Sequence, residues 1–197
     1  ARNAAAARLQ KAVAKELPPL RLDKARFFAE VGVLPESGWG PNGADQVRFL
    51  IATNPGQEPG PLARVASGGE LSRLMLAMKV VLSAGSAVPT LVFDEVDSGI
   101  GGATAAAVGE RLSRVAETVQ VLVVTHSPQV AARGASHLRV TKALARDRTL
   151  TTVDHLAPAA RREEIARMLA GETISDAARA AADDLLRGRG PPQGLLV

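Results

Sequence analysis

Two short stretches of the sequence hold side chains whose types and spacing suit chemistry on a phosphorylated ligand. One is Ser67-Gly68-Gly69-Glu70, which opens an apolar helical stretch; the other combines Asp94-Glu95, closing TLVFDE, with Thr125-His126, closing QVLVVTH. Asp94 offers a hard oxygen ligand suited to Mg²⁺, usually through water. Glu95, the next residue, points differently and can orient or deprotonate a water for attack on a phosphoryl group. His126 can donate a hydrogen bond to a terminal phosphate or sense its presence. Polar residues at strand ends also occur simply because such ends face solvent, and that plainer reading applies to His126 taken alone.

The helix start has a plain explanation of its own. Ser67 followed three residues later by Glu70 matches a capping box, in which each side chain satisfies a free backbone N–H at the helix end. That accounts for Ser67 and Glu70 but not for Gly68 and Gly69, each of which costs a helix roughly 1 kcal/mol relative to Ala. Bare N–H groups at the positive end of a helix let an anion approach closely. Ser67, Gly68 and Gly69 are therefore candidates for phosphate contact.

These residues need elements to position them. PTLVFDE and QVLVVT are short continuous apolar strands separated by the helical GATAAAVGERLSRVAETV. Such a βαβ unit predicts parallel strands in a sheet covered on both faces, with their carboxyl ends on one edge. Ligands of open α/β sheets bind along that edge, which here collects Asp94, Glu95, Thr125 and His126. Upstream, residues 25–33 and 46–53 read as an antiparallel hairpin, and a helix is expected near 68–84. Downstream come a short helix in SPQVAARG, a strand pair in SHLRVTK and TLTTVDHL, and helices near 158–169 and 174–187. Residues 1–17 are Ala-rich and helical until Pro18 and Pro19 stop them. Residues 188–197 read as a disordered tail, and no internal repeat is present.

Composition sets outer limits. With 46% apolar residues over 197 positions, the chain can bury a sizeable core. No run of 18 apolar residues and no charged-then-apolar leader occurs, so a cytoplasmic protein without a membrane partner is expected. The sequence has no cysteine, which excludes disulfides and thiolate metal sites, and the spacing of His126, His137 and His155 fits no zinc pattern. The net charge is +4, and 19 of the 24 basic residues are Arg. Arginine suits phosphate contact but equally reflects codon bias, so charge decides nothing about nucleic acid.

Taken together, the motifs resemble those of ABC-type ATPases. Ser67-Gly68-Gly69-Glu70 resembles their signature motif, TLVFDE their Walker B strand, VDSGIGG the following D-loop and VVTHSPQVA the switch-histidine segment. The flanking FLIATNPGQEPGPLARVASGGELSRLMLAMK and EEIARMLAGETI resemble the RecN family of bacterial DNA double-strand-break repair proteins, in the SMC-like group. The resemblance implies a fold in which an ABC-type ATPase head combines a mainly parallel α/β sheet with an antiparallel β element and a coiled-coil arm. It also implies that two heads sandwich two ATP molecules, each held by the phosphate loop of one head and the signature of the other. Carried over by motif, Ser67, Gly68, Gly69 and Glu70 would contact ATP in trans. Asp94 would position Mg²⁺, Glu95 would be the catalytic base, His126 the switch, and Asp97 would couple the sites across the dimer. Arg73 would either couple the signature helix to its surroundings or be an ordinary solvated helix residue.

One part of the family pattern is missing: no G-x-x-x-x-G-K-[ST] occurs in the sequence. The chain is therefore expected to be the C-terminal half of a head, with residues 1–17 as the end of the coiled coil and 18–187 as head. Its partners would be the N-terminal Walker A half of the same polypeptide, a second head in a homodimer, and DNA, with double-stranded ends the expected target. Alone it would not hydrolyse ATP. Two other readings remain. One is a fragment of a transporter-type ABC subunit, against which stand Glu70, where transporters usually have Gln, and the coiled-coil stump. The other is a DNA-binding or bridging module without turnover, using the basic residues from Arg2 to Arg26 and from Arg133 to Arg167; with 3% aromatic residues, base stacking is a poor basis for it.

Overall fold

A computed structural model describes residues 1–64, 68–82, 88–145, 148–188 and 195–196. The chain divides into two compact units, Ala1–Leu82 and Ser83–Val197.

In the first unit, helix α1 (Arg2–Glu16) ends where Pro18 begins a 3-10 turn, and Arg21 then turns the chain with a left-handed φ of 59°. Val13, Leu17, Leu20 and Leu22 are buried along this stretch. Strands β1 (Arg26–Val33) and β2 (Asp45–Ala52) pair antiparallel, Arg26 opposite Ala52 and Val33 opposite Asp45. Alternation sorts the faces: Phe27 and Ala29 are buried while Arg26 and Glu30 are exposed. The Phe27 and Phe49 rings stack tilted at 5.6 Å, and the side-chain oxygen of Gln10 accepts from the backbone N–H of Ala29, tying α1 to β1. Strand β3 (Gly60–Pro61) pairs with the end of β2. Helix α2 (Gly68–Leu82) contacts α1 and buries Leu74, Leu76, Ala77 and Met78.

The second unit contains the βαβ element. Strand β4 (Thr90–Asp94), helix α3 (Gly102–Val115) and strand β5 (Gln120–Val124) follow one another, and the strands pair in parallel from Thr90–Gln120 to Asp94–Val124. Helix α3 buries Ala105, Val108, Leu112 and Val115 in one stripe. It lies close to helix α4 (Pro128–Ala131): a Cβ on Gly109 would fall 2.9 Å from Arg133 Cγ and 3.3 Å from the Gln129 carbonyl. Only glycine fits there.

Strands β6 (Leu138–Ala145) and β7 (Arg148–His155) form the antiparallel pair, followed by helices α5 (Pro158–Ala170) and α6 (Asp176–Arg187). Arg162 grips Asp183 with two hydrogen bonds of 2.7 and 2.8 Å and thereby links α5 to α6. At the end of the chain, strand β8 (Leu195–Leu196) lies parallel to β5, opposite Val121 and Leu122. The apolar runs suggested a parallel sheet covered on both faces, but among the described residues one face is left largely open. Val121 and Val123 are buried, whereas Val92 and Val124, which share the opposite face, are 66% and 60% exposed.

Candidate functional site

The carboxyl ends of β4 and β5 lie side by side because Asp94 is the register partner of Val124. Asp94 ends its strand exposed to solvent. Glu95 follows with φ 52°, in the left-handed region that a side chain adopts at a cost of roughly 1–2 kcal/mol. The turn points Glu95 outward and sends the next two residues inward, so that Val96 and Asp97 are both fully buried. Hydrogen bonds from Ser98 N–H to the Glu95 carbonyl (3.0 Å) and from Ile100 N–H to the Asp97 carbonyl (3.3 Å) close the loop.

Beneath this surface the two strand ends are tied together. The Thr125 hydroxyl donates a hydrogen bond to one carboxylate oxygen of Asp97, Oδ2, and accepts from the backbone N–H of Ser127 at 2.9 Å. Ser127 is itself buried and donates to Gln129 Oε1 at 2.9 Å. His126 stands exposed between the two anchored residues. Asp94, Glu95 and His126 thus share one exposed edge, with Asp97 and Thr125 directly below. Asp97 is fully buried and tied to Thr125 within the chain. Thr125 lies within the segment that resembles the switch-histidine motif but drew attention only through its place at a strand end; its partner could not be read from spacing.

At the start of α2, Ser67 lies outside the described residues. Gly68 is exposed, and among the described residues nothing lies within 4 Å of the position a Cβ would take on it. Gly69 and Glu70 are half-buried. Arg73 is not a solvated helix residue: it is buried, and burial holds its guanidinium pKa below the ordinary value, with Glu70 one turn earlier opposing that shift.

A second group of charges lies beneath β6. An open cavity of about 610 Å³ is lined by Val124, His126, His137, Val140, Glu164 and Arg167, among others. His137 is buried, and its Nδ1 has no hydrogen-bond partner among the described residues. Burial lowers its pKa, Arg161 and Arg139 add to that, and Glu164 opposes it. Glu164 is held below the usual carboxylate range by hydrogen bonds from Arg167 at 2.6 and 3.0 Å, against the effect of its own burial. Among the described residues no cluster of three His, Cys, Asp or Glu is arranged to hold a metal ion.

Among the described residues, several arginines of the basic stretch from Arg133 to Arg167 are engaged internally. Arg161 is buried and donates to the carbonyls of Ala131, Ala132, Gly134 and Ala135. Arg133 donates to the Gly188 carbonyl, Arg162 grips Asp183 and Arg167 grips Glu164. By contrast Arg8, Lys11 and Lys15 are exposed at helical spacing along one side of α1.

The DNA repair protein RecN of Xylella fastidiosa (strain Temecula1) is 56% identical over 147 residues, which is 75% of this chain and 26% of that protein. RecN of Streptomyces coelicolor is 45% identical over 196 residues, covering 94% of this chain and 34% of that protein, and RecN of Rickettsia bellii is 42% identical over 185 residues, covering 94% and 33%. The chain therefore spans about a quarter to a third of the length of these curated relatives. No family model matches. Among solved structures, an Smc head domain with coiled coil and joint from Pyrococcus yayanosii superposes with a TM-score of 0.57 at 17% identity, over 80% of this chain and 28% of that one. A chain from work on ATP-driven dimerization and DNA-stimulated activation of SMC ATPases superposes with a TM-score of 0.51 at 15% identity, over 84% and 93%. These likenesses show an SMC-head type of α/β fold.

Proposed function

We propose that this chain, which belongs to the RecN family, forms part of an ATPase head acting in DNA double-strand-break repair. The observation that carries the reading is the shared edge of β4 and β5, where an exposed Asp94, a left-handed Glu95 and an exposed His126 converge. Strain at a non-glycine residue in an exposed turn is the pattern of a side chain held for use rather than for stability. Glu95 orients the attacking water and takes its proton, and His126 donates to the terminal phosphate. Mg²⁺ fits the donor set: the ion needs only one or two carboxylates when substrate phosphates complete its shell, and Asp94 supplies one. When bound, it neutralises charge on the phosphates. Ser67, Gly68, Gly69 and Glu70 contact the nucleotide of an opposing head, with the exposed Gly68 leaving room for an anion.

The remaining contacts come from elsewhere in the polypeptide. The exposed apolar face at Val92 and Val124 is suited to a further lobe, and we assign it to the Walker A half. All of the net charge lies in residues 1–82, with 11 basic and 7 acidic residues against 13 and 13 in the rest, so DNA phosphates are assigned to the Arg8, Lys11 and Lys15 stripe. The test is reconstitution. The 197-residue chain should show no ATP turnover by phosphate release, and adding the Walker A half should restore it. Turnover by the chain alone, or none after both halves associate, overturns the reading.

A further inference from the structure

We infer that Asp97 and Thr125 are positioning residues that hold Glu95 and His126 in fixed register, an inference that rests on the ATPase reading above. Three observations converge on it. First, β4 and β5 pair only as far as Asp94 and Val124, so the backbone ladder ends one residue before Glu95 and two before His126. Something else must hold the two reactive side chains together. Second, the Asp97–Thr125 hydrogen bond is the side-chain link immediately beyond the ladder, and it is made by a fully buried carboxylate. A buried carboxyl group is costly without partners, and the Thr125 hydroxyl supplies one to Oδ2. Third, the same Thr125 hydroxyl accepts from Ser127 N–H. One oxygen therefore fixes the turn carrying His126 and ties that turn to the loop carrying Glu95.

The consequence is a coupling between the two sides of the site. Glu95 lies two residues before Asp97 and His126 directly follows Thr125, so displacement of either loop is transmitted to the other through this bond. Removing the hydroxyl frees both turns at once. Neither residue touches substrate; their effect is on alignment, and misplacement by about 1 Å can cost on the order of a hundredfold in rate.

The experiment uses the complete polypeptide containing this chain. Thr125→Val keeps the shape and removes both hydrogen bonds; it should lower kcat about tenfold or more while the half-saturating ATP concentration stays within about twofold. Thr125→Ser keeps the hydroxyl and should recover turnover to within about threefold. In parallel, on the 197-residue chain, the His126 imidazole resonances should move in Thr125→Val and return in Thr125→Ser, a readout that global stability does not mimic. Glu95→Gln is measured alongside. If Glu95→Gln is inactive and Thr125→Val turns over like the parent protein, the positioning role is overturned while the ATPase reading stands; if Glu95→Gln remains active, the ATPase reading itself fails. Should Thr125→Val not fold, Thr125→Ala carries the same comparison.

Discussion

At the scale of single residues, strain and charge separate groups kept for chemistry from groups kept for the fold. Glu95 adopts a left-handed conformation that glycine takes without penalty. On the 197-residue chain Glu95→Gly should therefore raise the melting temperature by about 2–4 °C, the shift expected of roughly 1 kcal/mol at this size, and in the complete polypeptide it should abolish turnover. Differential scanning calorimetry checks the first part, and an unchanged or lower melting temperature would refute the strain argument. In the protein reconstituted with the Walker A half, Glu95→Gln removes the base but keeps size and polarity, so ATP should still bind while hydrolysis falls by about a hundredfold or more; Asp94→Asn should also weaken Mg²⁺-dependent binding. Equal, modest losses with affinity intact would dissolve this division of roles. His137 tests a different quantity. Its folded pKa lies below the ordinary 6.5, so the unfolded chain binds more protons, and the stability this neutral histidine contributes is lost as pH falls below about 6.5. The melting temperature should drop between pH 7.5 and 5.5, and His137→Gln should flatten that slope.

At the scale of elements, Arg161 joins α5 to the turn after α4 through four backbone carbonyls. Arg161→Met would fill a similar volume yet leave those carbonyls without their buried donor. A loss of about 2–4 kcal/mol by urea denaturation is expected, since each unsatisfied buried group costs 1–3 kcal/mol and some can turn to other partners. A loss under about 0.5 kcal/mol would mean that the carbonyls find other donors. Because Arg161 also helps to lower the His137 pKa, the substitution should shift that histidine's titration upward, visible by NMR. The two readouts separate the mechanical role of the guanidinium from its charge.

At the scale of the whole molecule, two surfaces ask for partners of opposite character. Val92 and Val124 expose an apolar strand face, so Val92→Lys with Val124→Lys should block association with the Walker A half while leaving the chain folded. Association at unchanged affinity would place that half elsewhere. On the basic side, replacing Arg8, Lys11 and Lys15 with Gln should weaken binding to double-stranded DNA. It should also reduce the slope of log K against log salt by about three, close to one for each phosphate no longer neutralised. An unchanged slope would remove α1 from the DNA surface.

The sequence alone determined the order and kind of most elements, because local pattern carries that information. The apolar runs TLVFD and QVLVV, the Ala-rich stripe of α3 and the Pro18–Pro19 stop each act over a few residues, and the β4-α3-β5 unit follows from them with its parallel strands and common edge. Asp94, Glu95 and His126 were legible for the same reason, since each immediately follows or ends an apolar run. Tertiary structure decided what depends on residues distant in the chain. Asp97 sits 28 positions from Thr125, and nothing in VDSGIGG reveals that its carboxylate is buried against that hydroxyl. Sequence left Arg73 open between coupling its helix to the surroundings and a solvated role, and it did not single out Arg161, because an arginine's burial depends on what packs over it and which carbonyls come within reach. The open face of β4 and β5 was equally hidden: an apolar run states that a strand should be covered on both sides, and only the assembled chain shows which side it covers itself.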